Sequence, residues 1–109
     1  MNAAQALLAR LFTVAEVVDT GWNGPRIREI RLRAAGLDWT LGQQVRIAVV
    51  PPWTTAAMRS GFRDVLRTYS VWEYDGEHLD LRVLIHGDGP GARWAASVGT
   101  GDEVHLRGP

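Results

Sequence analysis

Tyr69-Ser70-Val71-Trp72-Glu73-Tyr74-Asp75-Gly76-Glu77-His78-Leu79-Asp80-Leu81-Arg82-Val83-Leu84-Ile85-His86 alternates, turns once, and alternates again. Successive side chains of an extended chain point to opposite sides, so Tyr69, Val71 and Glu73 share one face and Ser70, Trp72 and Tyr74 the other. Asp75-Gly76 carries tight-turn chemistry. Beyond it Leu79, Leu81, Val83 and Ile85 keep one face apolar against Asp80, Arg82 and His86. Two runs of period two joined by a short turn are an antiparallel hairpin with one buried face.

The same period recurs in both directions. Towards the N-terminus, Val45, Ile47 and Val49 share a face within Gln44–Val50, and Pro51-Pro52 end that strand because neither can donate to a ladder. Trp53–Leu66 is a longer connection with a helical turn expected near Ala56-Ala57-Met58. Ile27–Arg33 is a further strand, with Ile30 and Leu32 bracketed by Arg and Glu. Asn23-Gly24-Pro25 is the turn before it, and the first strand, marked by Phe12, Val14, Val17 and Val18, runs out at Asp19-Thr20-Gly21. Ala3–Arg10 are helix formers, so residues 1–11 read as an arm and 12–109 as the folded domain. Towards the C-terminus, Pro90 suits the entrance of a short helix over Ala92–Ser97, and Val104 and Leu106 begin a last strand. The expectation is an all-β, six-stranded antiparallel barrel with one short late helix, closed because closure removes exposed edges.

The 109 residues suffice for one domain, and 46% hydrophobic with 22% charged residues is the composition of a globular chain. Twelve acidic and twelve basic residues balance, so bulk charge predicts neither nucleic acid nor an anionic membrane as partner. No cysteine is present, which excludes thiolate metal sites, and all basic residues are Arg, which excludes Schiff-base and P-loop lysines. No apolar run approaches the ~20 residues of a membrane span, and Arg10 interrupts the opening stretch, so a cytoplasmic location is expected. His78, His86 and His105 lack ligand-like spacing, and no metal site is expected. Arg26, Arg28, Arg31 and Arg33 read as one solvated basic stripe, and the five tryptophans, Trp94 among them, as packing. No nucleophile elbow occurs, so no side chain is assigned a catalytic role.

Two segments carry chemistry. Arg67-Thr68-Tyr69-Ser70 offers a planar guanidinium fork, a flat ring with a polar tip and a small hydroxyl, suited to a ligand with an aromatic ring and a phosphate. It reads equally as a surface Arg, a half-buried barrel Tyr and a turn Ser. His86-Gly87-Asp88-Gly89-Pro90-Gly91-Ala92-Arg93-Trp94-Ala95 places three glycines before a helix start, whose free N–H groups and partial positive charge favour a pyrophosphate. The other reading is a glycine-rich connector. It is not a nicotinamide-type fingerprint, since seventeen residues after Ala92 cannot complete a βαβ unit.

Together, Arg67-Thr68-Tyr69-Ser70, the apolar Val83-Leu84-Ile85 ending in His86, Gly89-Pro90-Gly91-Ala92-Arg93-Trp94-Ala95 and the final Gly101–Pro109 resemble the flavin domain of the ferredoxin–NADP reductase superfamily. More narrowly they resemble the siderophore-interacting proteins, the flavin-dependent ferric-siderophore reductases. The resemblance implies a Greek-key flavin-binding barrel holding FAD, with FMN or another nucleotide as a weaker alternative. It implies that Arg67 pairs with the pyrophosphate, Tyr69 packs on the ring or ribityl chain, and Ser70, beside Thr68, lies near the ring edge. Backbone groups of Leu84, Ile85 and His86 would line the flavin, and Gly91, Ala92 and Arg93 would cap the phosphates. Gly91-Ala92 departs from the Ala-Ser of the family. The implied partners are flavin, a ferric siderophore and an electron donor supplied by another domain or protein, because the NAD(P)H-binding domain of the family is absent from these residues. The alternative function is a truncated or degenerate barrel acting as a non-catalytic interaction module, with a homodimer as one form.

Overall fold

A computed structural model of the chain describes residue 3 and residues 12–34, 43–50, 59 and 65–108. Six strands form a closed barrel: β1 (Thr13–Asn23), β2 (Ile27–Arg33), β3 (Gln44–Ala48), β4 (Leu66–Tyr74), β5 (His78–Leu84) and β6 (Glu103–Arg107). One eight-residue helix, α1 (Pro90–Ser97), lies between β5 and β6. Around the barrel the order is β1-β2-β5-β4-β3-β6, with all neighbours antiparallel. This is the closed antiparallel barrel expected from the alternation, in the Greek-key form that the resemblance implies. The arm over residues 1–11 and the helical turn near Ala56–Met58 lie outside the described residues, Ala3 excepted.

One expectation is corrected. The first strand does not run out at Asp19-Thr20-Gly21 but continues to Asn23, paired with β2 as far as Asn23–Ile27. The register shifts between Val17 and Asp19. A bulge there inserts one extra residue, which resets the inward–outward alternation and disguises the second half of the strand as a loop.

Inward positions are aliphatic along most of the barrel. Val17, Ile30, Leu32, Val45, Ile47, Leu79, Leu81, Val104 and Leu106 are almost completely buried, and Ala95 and Val98 at the end of α1 complete the core. Among the described residues none that is polar or charged is fully buried. Outward positions carry the charges: Arg31 pairs with Asp80 through two hydrogen bonds of 2.8 and 3.0 Å. Among the described residues, no helix is long and apolar enough to cross a membrane.

Candidate functional site

The site lies at one end of the barrel, where β4 and β5 part. Their ladder begins at the Asp75-Gly76 turn with Tyr74–Leu79 and Glu73–Asp80, shifts register past Trp72, and has Val71–Leu81 as its last pair. Leu66–Ser70 pair instead with Ala48–Gln44 on β3. Residues directly opposite in an antiparallel ladder share a face. Tyr69 lies opposite buried Val45 and Arg67 opposite buried Ile47, so both take inward-facing positions at the end of the barrel. Both are half-buried, whereas Thr68 and Ser70 are exposed on the opposite face. Arg67 and Tyr69 tolerate these inward positions because β5 no longer pairs with β4 beside them, while Val49 and Val65 beyond stay buried.

Helix α1 covers this end. Its Gly89 N-cap is extended and gives no side-chain hydrogen bond, Pro90 stands in the first turn, and no acidic residue follows in that turn. The first intrahelical bond is Arg93 N–H to the Gly89 carbonyl at 2.9 Å, so the N–H groups of Gly91 and Ala92 precede the helical ladder. Gly91 packs directly on the strand below. A Cβ at position 91 would stand 3.1 Å from the Tyr69 Oη and 3.4 Å from the Arg67 Cγ. The strand and the helix start, separate in sequence, therefore meet at Arg67, Tyr69 and Gly91.

The electrostatics are one-sided. The Arg67 guanidinium, whose Nη1 donates to the Leu66 carbonyl at 2.9 Å, lies with its stem against a helix N-terminus that carries a partial positive charge and no carboxylate. An arginine whose stem packs against a helix start with two free main-chain donors supplies the kinds of donor that a diphosphate takes. Burial raises the Tyr69 phenol above its ordinary value, against the opposing pull of Arg67, so it remains a neutral O–H at neutral pH. This donor set and the adjacent ring fit a flavin dinucleotide.

The other expected residues are spread around this contact. Leu84 is exposed, Ile85 packs on the core, and the Ile85 N–H already donates to the Arg26 carbonyl at 2.7 Å. His86 is exposed, and Arg93 turns its guanidinium back onto the Asp88 carbonyl, bracing the glycine-rich loop. Gly87, at φ +70°, needs the left-handed conformation that glycine supplies where that loop leaves β5. Among the described residues no group of three His, Asp or Glu side chains comes together.

Two residues read otherwise from sequence belong here. Trp94 stacks on Tyr69, with ring centroids 5.8 Å apart and planes at 24°. Its place four residues after Pro90, on the face that carries Ala95 and Val98 close by, is the signal for it. The basic stripe on β2 is split: Arg31 and Arg33 are exposed and face Asp80, Glu16 and Glu77. Arg28 lies opposite buried Val83 and half-buried at the α1 end of the barrel. Two-residue alternation from Ile30 inward would have found it.

Comparison with known proteins agrees with this geometry. Residues 40–109 match the family model described as the siderophore-interacting FAD-binding domain. The siderophore-interacting protein SipS from Aeromonas hydrophila is similar in structure, with a TM-score of 0.70, 27% identity, and 88% of this chain covering 42% of that one. A siderophore utilization protein from T. fusca gives a TM-score of 0.68 and 25% identity over 87% of this chain and 43% of that one. Ferredoxin-NADP+ reductase from Plasmodium falciparum shares the fold, with a TM-score of 0.67 at 17% identity, over 89% of this chain and 39% of that one. The chain thus spans about two fifths of the length of these structures. No curated protein sequence matches it. With the match over residues 40–109 and the barrel it describes, the chain belongs to the siderophore-interacting FAD-binding domain family, and its cofactor is FAD.

Proposed function

We propose that this barrel is the flavin-holding part of a ferric-siderophore reductase, carrying electrons from NAD(P)H to Fe(III) bound in a siderophore. The observation that carries the reading is the contact of the Arg67 stem and the Tyr69 hydroxyl with Gly91 at an uncapped helix start. In this reading the Arg67 guanidinium and the N–H groups of Gly91 and Ala92 neutralise the FAD pyrophosphate, and Arg93 holds the loop that presents them. Tyr69, backed by Trp94, offers its ring to the flavin, whereas Thr68 and Ser70, on the other face of β4, are left out of this contact. The main chain of Leu84, Ile85 and His86 lines the ring or the ribityl chain of the flavin. Bound FAD supplies acceptance of a hydride and release of single electrons, while the protein binds, orients and shields it. NAD(P)H and the siderophore are received outside the two fifths of the family length that this chain spans.

The test is an FAD titration of the purified chain, followed by the flavin absorbance of the wild type, Arg67→Ala and Tyr69→Ala. The wild type should take up one equivalent and both variants should release it. A wild type that gains no flavin absorbance in excess FAD would sink the reading. Anaerobic mixing separates the electron route: dithionite should bleach the bound flavin, whereas NADPH alone should do so only slowly. Rapid bleaching by NADPH would overturn the assignment of nicotinamide binding to parts outside this chain.

A further inference from the structure

Helix α1 has eight residues, too few for a helix to hold itself in water. Its position over Arg67 and Tyr69 is therefore decided by its anchors. Towards its start and middle these are Gly91 against Arg67 and Tyr69, and Trp94 on the Tyr69 ring. At its C-terminal end Ala95 and Val98 enter the core, and Arg28 of β2, seventy positions earlier in sequence, donates from Nη2 to the Val98 carbonyl at 2.8 Å.

This Arg28 contact is more than a surface pairing. The Arg28 Nε is buried and has no hydrogen-bond partner, which is a cost that the fold carries. The guanidinium carbon lies 5.1 Å from the centre of the Trp22 ring, the residue directly opposite Arg28 in the β1–β2 hairpin. Trp22, half exposed, thus covers the cation on its hairpin side. A positive charge just past the last helical turn is also the sign the helix dipole favours there. The helix is about 12 Å long at 1.5 Å per residue, so a change of tilt at one end moves the other by a comparable amount.

We infer that Arg28 is a positioning residue for the flavin site: its guanidinium latches the C-terminal end of α1 to β2 and thereby fixes the helix start over Arg67 and Tyr69. This rests on the FAD-site reading above, and extends it to a residue held at the far end of α1, on the Val98 carbonyl. Diphosphate recognition tolerates little displacement, because donors held within about 0.5 Å of the productive geometry bind and looser ones do not.

The experiment compares the full chain with Arg28→Met and Arg28→Lys by two readouts. The first is amide hydrogen exchange of residues 93–98 without FAD; the second is FAD affinity by titration. Arg28→Met should speed exchange in α1 about tenfold, the loss of a hydrogen bond to a charged group, and leave the β2–β5 ladder protected. It should also raise the FAD dissociation constant about tenfold, and Arg28→Lys, which keeps the charge and one donor, should return both towards the wild type. Unchanged α1 exchange in Arg28→Met overturns the latch. Faster exchange with unchanged FAD affinity overturns the positioning role. Equal loss of protection in all six strands would show a general structural role and overturns the inference as well. If the unsubstituted chain takes up no FAD, the flavin reading fails on its own, and the exchange comparison alone decides the latch. Should Arg28→Met not fold, Arg28→Gln, which keeps a donor without the charge, replaces it in the same comparison.

Discussion

The wall formed by β1, β2 and β5 and the end closed by β3, β4 and α1 obey the same alternation to different ends. On the wall, β2 is paired along its whole length on both sides, from Ile27–Leu84 to Arg33–His78 and from Asn23–Ile27 to Glu16–Arg33. Its inward positions Ile30 and Leu32 are aliphatic and buried. At the other region β4 passes from one partner to another, and its inward series reads Val71, Tyr69, Arg67. β2 repeats this towards the same end with Leu32, Ile30, Arg28. Inward positions thus turn polar where β4 and β5 part, between buried Val71 and buried Val65 on one side and beyond Ile30 on the other, and the site is a polar break in an otherwise aliphatic series.

That contrast can be broken most forcefully from the wall. Leu79→Ala, at the turn end of the β4–β5 ladder, removes a fully buried side chain and should cost about 2–5 kcal/mol by urea denaturation. The FAD affinity of the folded fraction should stay within about twofold of the wild type, as expected for distant sites that add independently. A large loss of affinity without loss of stability would show that wall and site are not separable.

From the site, Arg67→Ala should have the opposite profile. We expect FAD affinity to fall about 10- to 100-fold, the equivalent of one or two charge-assisted hydrogen bonds. Thermal unfolding of the cofactor-free chain should shift little.

The turn that joins β4 to β5 adds a smaller effect, readable by pH. Asp75 accepts the main-chain N–H groups of His78 at 2.6 Å and Glu77 at 2.9 Å, and these hold its carboxyl down at about 2. A carboxyl lowered in the fold stabilises it above its unfolded value near 3.8 and loses that contribution as pH falls through about 2. Acid unfolding followed by circular dichroism should therefore steepen between about pH 4 and 2, and Asp75→Asn, whose amide oxygen still accepts but does not titrate, should flatten that window.

The smallest effect belongs to Arg31 and Asp80 on the outer face. Their two hydrogen bonds hold Arg31 above its ordinary value, chiefly through the Asp80 carboxylate. The pair is open to solvent and screened by salt. Arg31→Met should move the thermal midpoint less than any change above, and 1 M salt should erase the difference.

Most of the strands could be read along the chain because period two is a local property of extended backbone. Leu79, Leu81 and Val83 announce their face within five residues, and the structure buries all three. Val17-Val18 shows where that legibility stops: one extra residue in β1 reverses the alternation, and only pairing with β2 shows that the strand continues. Among the site residues, Arg67 and Tyr69 were marked by type and spacing. Arg28 was hidden because four arginines in eight positions look like one polar face until register puts Arg28 and Arg31 on different sides.

The sequence by itself determined the number of strands, the late helix, and the two segments able to meet a phosphate and a ring, because each depends on neighbours a few residues apart. The tertiary structure alone decided that Gly91 lands on Arg67 and Tyr69, that Trp94 stacks on Tyr69, and that Arg28 reaches the Val98 carbonyl. Those meetings follow from the strand order, in which β4 and β5 part and α1 folds over the opening. Loop closure and core packing across the whole barrel set that order, and no local periodicity contains it.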